Sequence, residues 1–319
     1  MNYAQIHKAT LLLVLFTSSL AARVSMAHDL EGLISEDRNT PATSRAIFTE
    51  IDKTRAVLAG RSSTGGDAKG LEGVIQKSLA WKKKAITVCF MDGNANAWKQ
   101  IQSVASQWTD GLLISFDFGT DQLRKCVANK HSDIRVTFEG SGNWSYVGTK
   151  AKFIDEKSPT LGVASLGGGS TFSEDQKATV LHEFGHALGL EHEHQSPVAD
   201  CESQFNWNYL YKWLGALGWD KAKVDLNMRK LTQNSDEGGL YATPFDNKSI
   251  MLYSLPKQVF LGDKASCFIP QKNLSISEVD RQTIATVYPK EANAPASSLQ
   301  DIDPAVLDSI QYLGEQTGK

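Results

Sequence analysis

Apolar residues along this chain change their period several times, and each change marks an element. Residues 9–20 form an apolar core, shorter than the ~20 residues that span a bilayer. Ile47, Ile51 and Leu58 fall at near-helical spacing and predict a helix over 45–60, stopped by Gly60. Residues 62–70 carry serine, threonine and glycine without periodic apolar positions, and they read as a polar linker. The β-branched run 84–90 predicts a strand, and Asp92-Gly93 a turn. Trp98, Ile101, Val104, Ala105 and Trp108 share one side of a helix expected over 97–108, with the tryptophans packing into the core. Further strands are expected over 112–118, 133–138, 145–148 and 162–167. The last of these, just ahead of the next helix, is expected to be the sheet edge beside a cleft, where an extended peptide could pair. Ser173 and Gln176 form a capping box that opens that helix, and Glu174 and Asp175 suit its dipole. Beyond it the chain turns irregular. A short helix is expected over 209–217, another begins at Ser277 with Val279, Ile284 and Val287 inward, and a last one near 304–312.

The helix opened by Ser173 carries the chemistry. Residues 182–192 read H-E-x-x-H-x-x-G-x-x-H. His182 and His186 are one turn apart on one helix face, so both imidazoles can reach one metal ion. Glu183 flanks the same face, placed to take a proton from water on that ion. Gly189 can take the left-handed conformation that ends a helix, letting the chain turn back to deliver His192. Three histidines leave one position of a tetrahedral Zn2+ open, which is the catalytic pattern and not the closed structural one. Four of the seven histidines lie between 182 and 194, a concentration that a merely solvated helix face does not explain.

Composition narrows the setting. Lys8, the apolar run, and Ser25-Met26-Ala27 with small residues at the last and third-last positions make 1–27 a secretory signal cleaved after Ala27. The net charge of −3 is spread with both signs interspersed, so neither nucleic acid nor an anionic membrane is an expected partner. Cys89, Cys126, Cys201 and Cys267 are an even set in an exported chain, which favours two disulfides. Three pairings are possible and the sequence does not choose among them. The one favoured is Cys89–Cys126 with Cys201–Cys267, one on each side of the metal helix.

With Ser249-Ile250-Met251-Leu252-Tyr253 added, residues 79–289 resemble a metzincin metallopeptidase of the astacin type. Trp144-Ser145-Tyr146-Val147-Gly148, Ser165-Leu166-Gly167, Glu193-His194-Gln195, Asp280 and Tyr288-Pro289 extend the match. The resemblance implies an α+β, two-lobed catalytic domain. A twisted, mostly parallel sheet with two long helices would lie above the cleft, over an irregular lower lobe ending in a helix. It implies one catalytic zinc held by His182, His186 and His192, with Glu183 as general base and then acid. Met251 would be the Met-turn methionine beneath the ion. Tyr253 would be a switchable fifth ligand, and Glu193 the residue that meets the mature N-terminus. The substrate would be a polypeptide and the enzyme a monomer. The chain departs from the family in three respects: Gln195 to Asp200 replaces an arginine-rich run, Leu252 stands where histidine is usual, and the cysteine positions differ from those of animal members.

The resulting organisation is a signal at 1–27, a propeptide at 28–78, a catalytic domain at 79–290 and an extension at 291–319. Family members are often latent through an aspartate after Phe-x-Gly. Here Thr64-Gly65-Gly66-Asp67 keeps the Gly-Asp pair without the Phe, which makes Asp67 the candidate latency ligand. The competing class is a non-catalytic zinc-containing binding or adhesion module, which would be expected to lose Glu183 or a ligand. A purely structural zinc would need a nearby fourth ligand, for which His194 or Glu193 is the candidate.

Overall fold

Strand β2 (Ala85–Phe90) lies near the middle of a five-stranded sheet ordered β3-β2-β4-β6-β5, with β3 at Ser115–Asp117, β4 at Ile134–Thr137, β5 at Asn143–Ser145 and β6 at Leu161–Val163. The first four strands in that order are parallel, and only β5 runs antiparallel, against β6. Parallel strands are covered on both faces. Accordingly Ile86, Val88, Cys89 and Phe90 of β2 and all four residues of β4 are buried. The structure is a computed structural model that describes residues 74–167, 171–231, 240–242, 245–262 and 264–289. The signal, the 45–60 helix, the 62–70 linker with Asp67, the extension and its 304–312 helix lie outside the described residues.

Two expectations need correction. The strand expected at 162–167 is not the edge. It spans Leu161–Val163 between β4 and β5, and the chain turns into a 3-10 helix at Ala164–Leu166. The edge is β5, whose Trp144 lies on Gly162, where an added Cβ would collide with the indole nitrogen. Glycine at 162 is therefore what allows the extra strand. The domain also starts ahead of residue 79. Strand β1 (Ile75–Gln76) pairs with β7 (Leu240–Tyr241), Ile75 is fully buried, and the Glu191 amide donates to the Val74 carbonyl at 3.0 Å.

Helix α1 (Ala95–Ala105) is capped by the Asn94 side chain and buries Ala97, Ile101, Val104 and Ala105. The helix expected to reach 108 closes as a 3-10 turn at Ser106–Trp108, from which the Trp108 indole donates to the Leu181 carbonyl. Helix α2 (Glu174–Ala187) opens with both halves of the Ser173–Gln176 capping box and is buried almost all round from Ala178 onward. It packs against α1 and β5.

The lower lobe is less irregular than expected. It has α3 (Cys201–Gln204), α4 (Trp207–Ala216) and α5 (Lys221–Met228) around a second core of Phe205, Leu210, Leu214, Met228 and Phe260. The last helix, α6 (Glu278–Val287), returns to the first core through Ile284. Disulfides join Cys89 to Cys126 and Cys201 to Cys267. The fold class is therefore the expected α+β, two-lobed one. Among the described residues, no helix is long and apolar enough to cross a membrane.

Candidate active site

Gly189, at φ +106°, ends the turn after α2 and sends the chain back across the helix end. The Leu190 amide then donates to the Gly185 carbonyl, and the Leu190 carbonyl accepts from His186 Nδ1 at 2.7 Å. Two residues later His192 enters, followed by a 3-10 turn at Glu193–Gln195. His182, His186 and His192 thereby converge and are all buried. His186 Nε2 lies 3.2 Å from His182 Nε2 and 3.1 Å from His192 Nε2.

The other nitrogen of each ring is already committed. His182 Nδ1 donates to the Ile250 carbonyl at 2.9 Å, His186 Nδ1 to Leu190, and His192 Nδ1 to Gln195 Oε1 at 2.9 Å. With every Nδ1 a donor, the Nε2 atoms are bare lone pairs. Three lone pairs at this separation repel unless a cation sits among them. A tetrahedral ion at the usual zinc–nitrogen distance needs its nitrogens roughly 3.3 Å apart. The donor set fits zinc.

Protonation favours binding as well. Burial, and then neighbouring His186, push the His182 and His192 imidazoles well below their ordinary value. Burial lowers His186 and His194 to about 4. All four are therefore neutral near pH 7, the form that ligates metal. The Tyr253 hydroxyl lies against His192 Nε2 and so faces the same point. Burial, then the charges of Glu183 and Glu191, raise that phenol well above its usual value, so it stays protonated and can donate. Glu183 follows His182 on α2 and is buried.

Met251 is buried against the helix that carries two of the histidines. Its sulfur would be 2.6 Å from a Cβ added at Gly185, so the glycine inside the motif is the space in which the methionine sits. The turn around Met251 is held from α6. Asp280, second member of the Ser277 capping box, accepts from Ser249 Oγ at 2.7 Å and from the Ile250 amide at 2.9 Å. Glu193 accepts from the Asp246 amide at 2.9 Å and donates its own amide to the Met251 carbonyl.

The structure thus gathers His182, Glu183, His186, His192, Met251 and Tyr253 in one place. Sequence reading missed Gly185 as a supporting residue, and it named Gln195 and Asp280 without the contacts that give them a role. A glycine at a buried helix position was the signal available for Gly185, and the Ser277–Asp280 spacing for Asp280.

An α+β domain whose two lobes close on a three-histidine cradle, with a methionine turn beside it, is the metzincin class. The sequence model of the Astacin peptidase family matches residues 73–288, and the chain belongs to that family. It is similar to Blastula protease 10 of Paracentrotus lividus, 29% identical over 132 residues, which are 41% of this chain and 20% of that protein. It is also similar to Protein SpAN of Strongylocentrotus purpuratus, 24% identical over 149 residues, 47% of this chain and 22% of that one. The chain thus spans about a fifth of the length of these two relatives. Among solved structures, myroilysin is 30% identical, with a TM-score of 0.57 over 69% of this chain and all of that one.

Proposed function

We propose that this chain is a secreted zinc-dependent endopeptidase whose zinc ligands are His182, His186 and His192. The observation that carries the reading is the convergence of three bare Nε2 atoms whose Nδ1 partners are all tied to acceptors. When bound, zinc supplies Lewis acidity, acidifying water and polarising a peptide carbonyl. Glu183 takes the proton of the attacking water and hands it to the leaving amine. The Tyr253 hydroxyl donates to the oxygen on which charge develops. A polypeptide substrate lies extended along β5, the edge that packs against α2, and pairs with it through its main chain. The protein acts as a monomer with one ion.

The reading extends to organisation. Residues 1–27 are an export signal, and those between it and the folded domain a propeptide in which the Asp67 carboxylate takes the place of the attacking water. Residues 291–319 are a C-terminal extension. Because β1 belongs to the fold, the mature form tested should start at residue 74 and not at 79. A latent 28–319 form that gains activity on Asp67→Ala supports the plug, and equal activity of long and short forms removes it.

Zinc content and casein hydrolysis, with and without chelator, test the main reading. About one zinc per chain and chelator-sensitive, zinc-restorable hydrolysis are expected. Zinc without hydrolysis in the mature form would make the chain a binding module instead, and no zinc at all would overturn both.

A further inference from the structure

The third histidine differs from the other two in what holds it. His182 and His186 rest on backbone carbonyls, whereas His192 rests on a side chain, that of Gln195. Gln195 is buried, and its amide group has one possible orientation. The nitrogen donates to the carbonyls of Leu226 and Arg229 at 2.9 and 3.0 Å. Reversed, the amide would place its oxygen against two carbonyl oxygens and its NH2 against His192. The oxygen therefore faces His192 Nδ1 and can only accept.

The two carbonyls belong to the C-terminal end of α5, where helix carbonyls have no partner within the helix. His194 donates to the Asn227 carbonyl at 3.0 Å, and the Leu231 amide donates back to the Gln195 carbonyl at 2.8 Å. That helix end is fixed in turn by Arg229, which donates to Glu202 and Asp225 and lies 3.6 Å from the Trp207 ring centroid.

We propose that Gln195, clamped by the C-terminal carbonyls of α5, is the positioning residue of the third metal ligand, holding His192 with its proton on Nδ1 and its Nε2 lone pair toward the ion. The inference rests on the zinc reading above. It makes α5, a helix that contributes no ligand, a strut of the metal centre. Partners of this kind contribute roughly 10–100-fold in metal affinity.

The test uses the full purified chain. After chelator stripping, Zn2+ is titrated against a chromophoric competitor for the wild type and for Gln195→Leu. The visible spectra of both Co2+-loaded proteins are compared. The variant is expected to bind zinc roughly 10–100-fold more weakly and to show altered Co2+ bands. Zinc affinity within twofold of wild type, with unchanged bands, overturns the proposal. Should Gln195→Leu fail to fold, 15N NMR of the metal-free wild type decides. A protonated Nδ1 and bare Nε2 on His192 are expected, and the opposite tautomer overturns the proposal. Wild-type protein that takes up no zinc sinks the peptidase reading instead, while the tautomer measurement still judges the role of Gln195.

Discussion

The two lobes hold their halves of the site by different means. Above the cleft, a backbone ladder of four parallel strands and a core of Ile86, Val88, Ile134, Val136 and Phe184 carry α2, which presents His182 and His186 on one rigid face. Below it, three short helices around a second, smaller core are tied by a disulfide, the Phe205–Phe260 contact and the ion pairs of Arg229. Exposed ion pairs of that kind are individually weak. Yet this lobe supplies Tyr253 and the support of His192. The upper lobe thus carries two of the proposed ligands on one helix, and the lower lobe carries Tyr253 and the support of the third.

The strongest way to test this division is at α2. Glu183→Ala should keep zinc and fold while kcat falls on the order of 10²–10⁴-fold, the usual worth of a general base. Near-normal turnover would remove Glu183 from the mechanism. Next comes the lower lobe: Tyr253→Phe should lower kcat by roughly 10²–10³ with KM little changed. A rise in KM alone would make Tyr253 a substrate-binding residue.

The disulfides sharpen the comparison further. They close segments of 37 and 66 residues, and chain entropy assigns each about 4 kcal/mol. Replacing either pair by serine should therefore lower Tm by similar amounts. At a temperature where both variants are folded, loss of Cys201–Cys267 should reduce kcat/KM more than loss of Cys89–Cys126. Equal activities would break the division between the lobes.

The smallest effect is in pH. His186 and His194 have folded values near 4, below the ordinary 6.5. The unfolded chain therefore binds more protons between those limits, and stability falls as pH drops through 6.5 toward 4. From pH 7 to pH 6 the loss is below ~1 kcal/mol per histidine. Melts of the metal-free protein should show it, and a Tm that rises on acidification in that window would contradict the burial of these rings.

Legibility in the sequence followed distance along the chain. The metal motif could be read because its ligands, its glycine turn and the capping box of its helix all lie within twenty residues or so of each other. Strand β1 has two residues and pairs with others about 165 positions away, so no local period announces it. Helix α5 buries only Val224 and Met228 among its apolar residues, too few for a stripe. The edge was misassigned because 162–167 lies just ahead of the metal helix in sequence, whereas β5, earlier in the chain, adds outside it with Trp144 lying on Gly162. Gln195 reads as an ordinary polar residue until α5 is in place.

Asp280 reaches back across 30 residues to seat Ile250, whose carbonyl orients His182. Synthesis runs the other way. Every histidine of the centre, and Tyr253, leaves the ribosome before the carboxylate that fixes the turn around Met251. A nascent chain stopped at residue 279 carries all three histidines, but the turn at Ser249 and Ile250 that touches His182 is still unclasped. The last helix therefore closes the site from the far end of the domain: the support of His182 is complete only once residue 280 has been made.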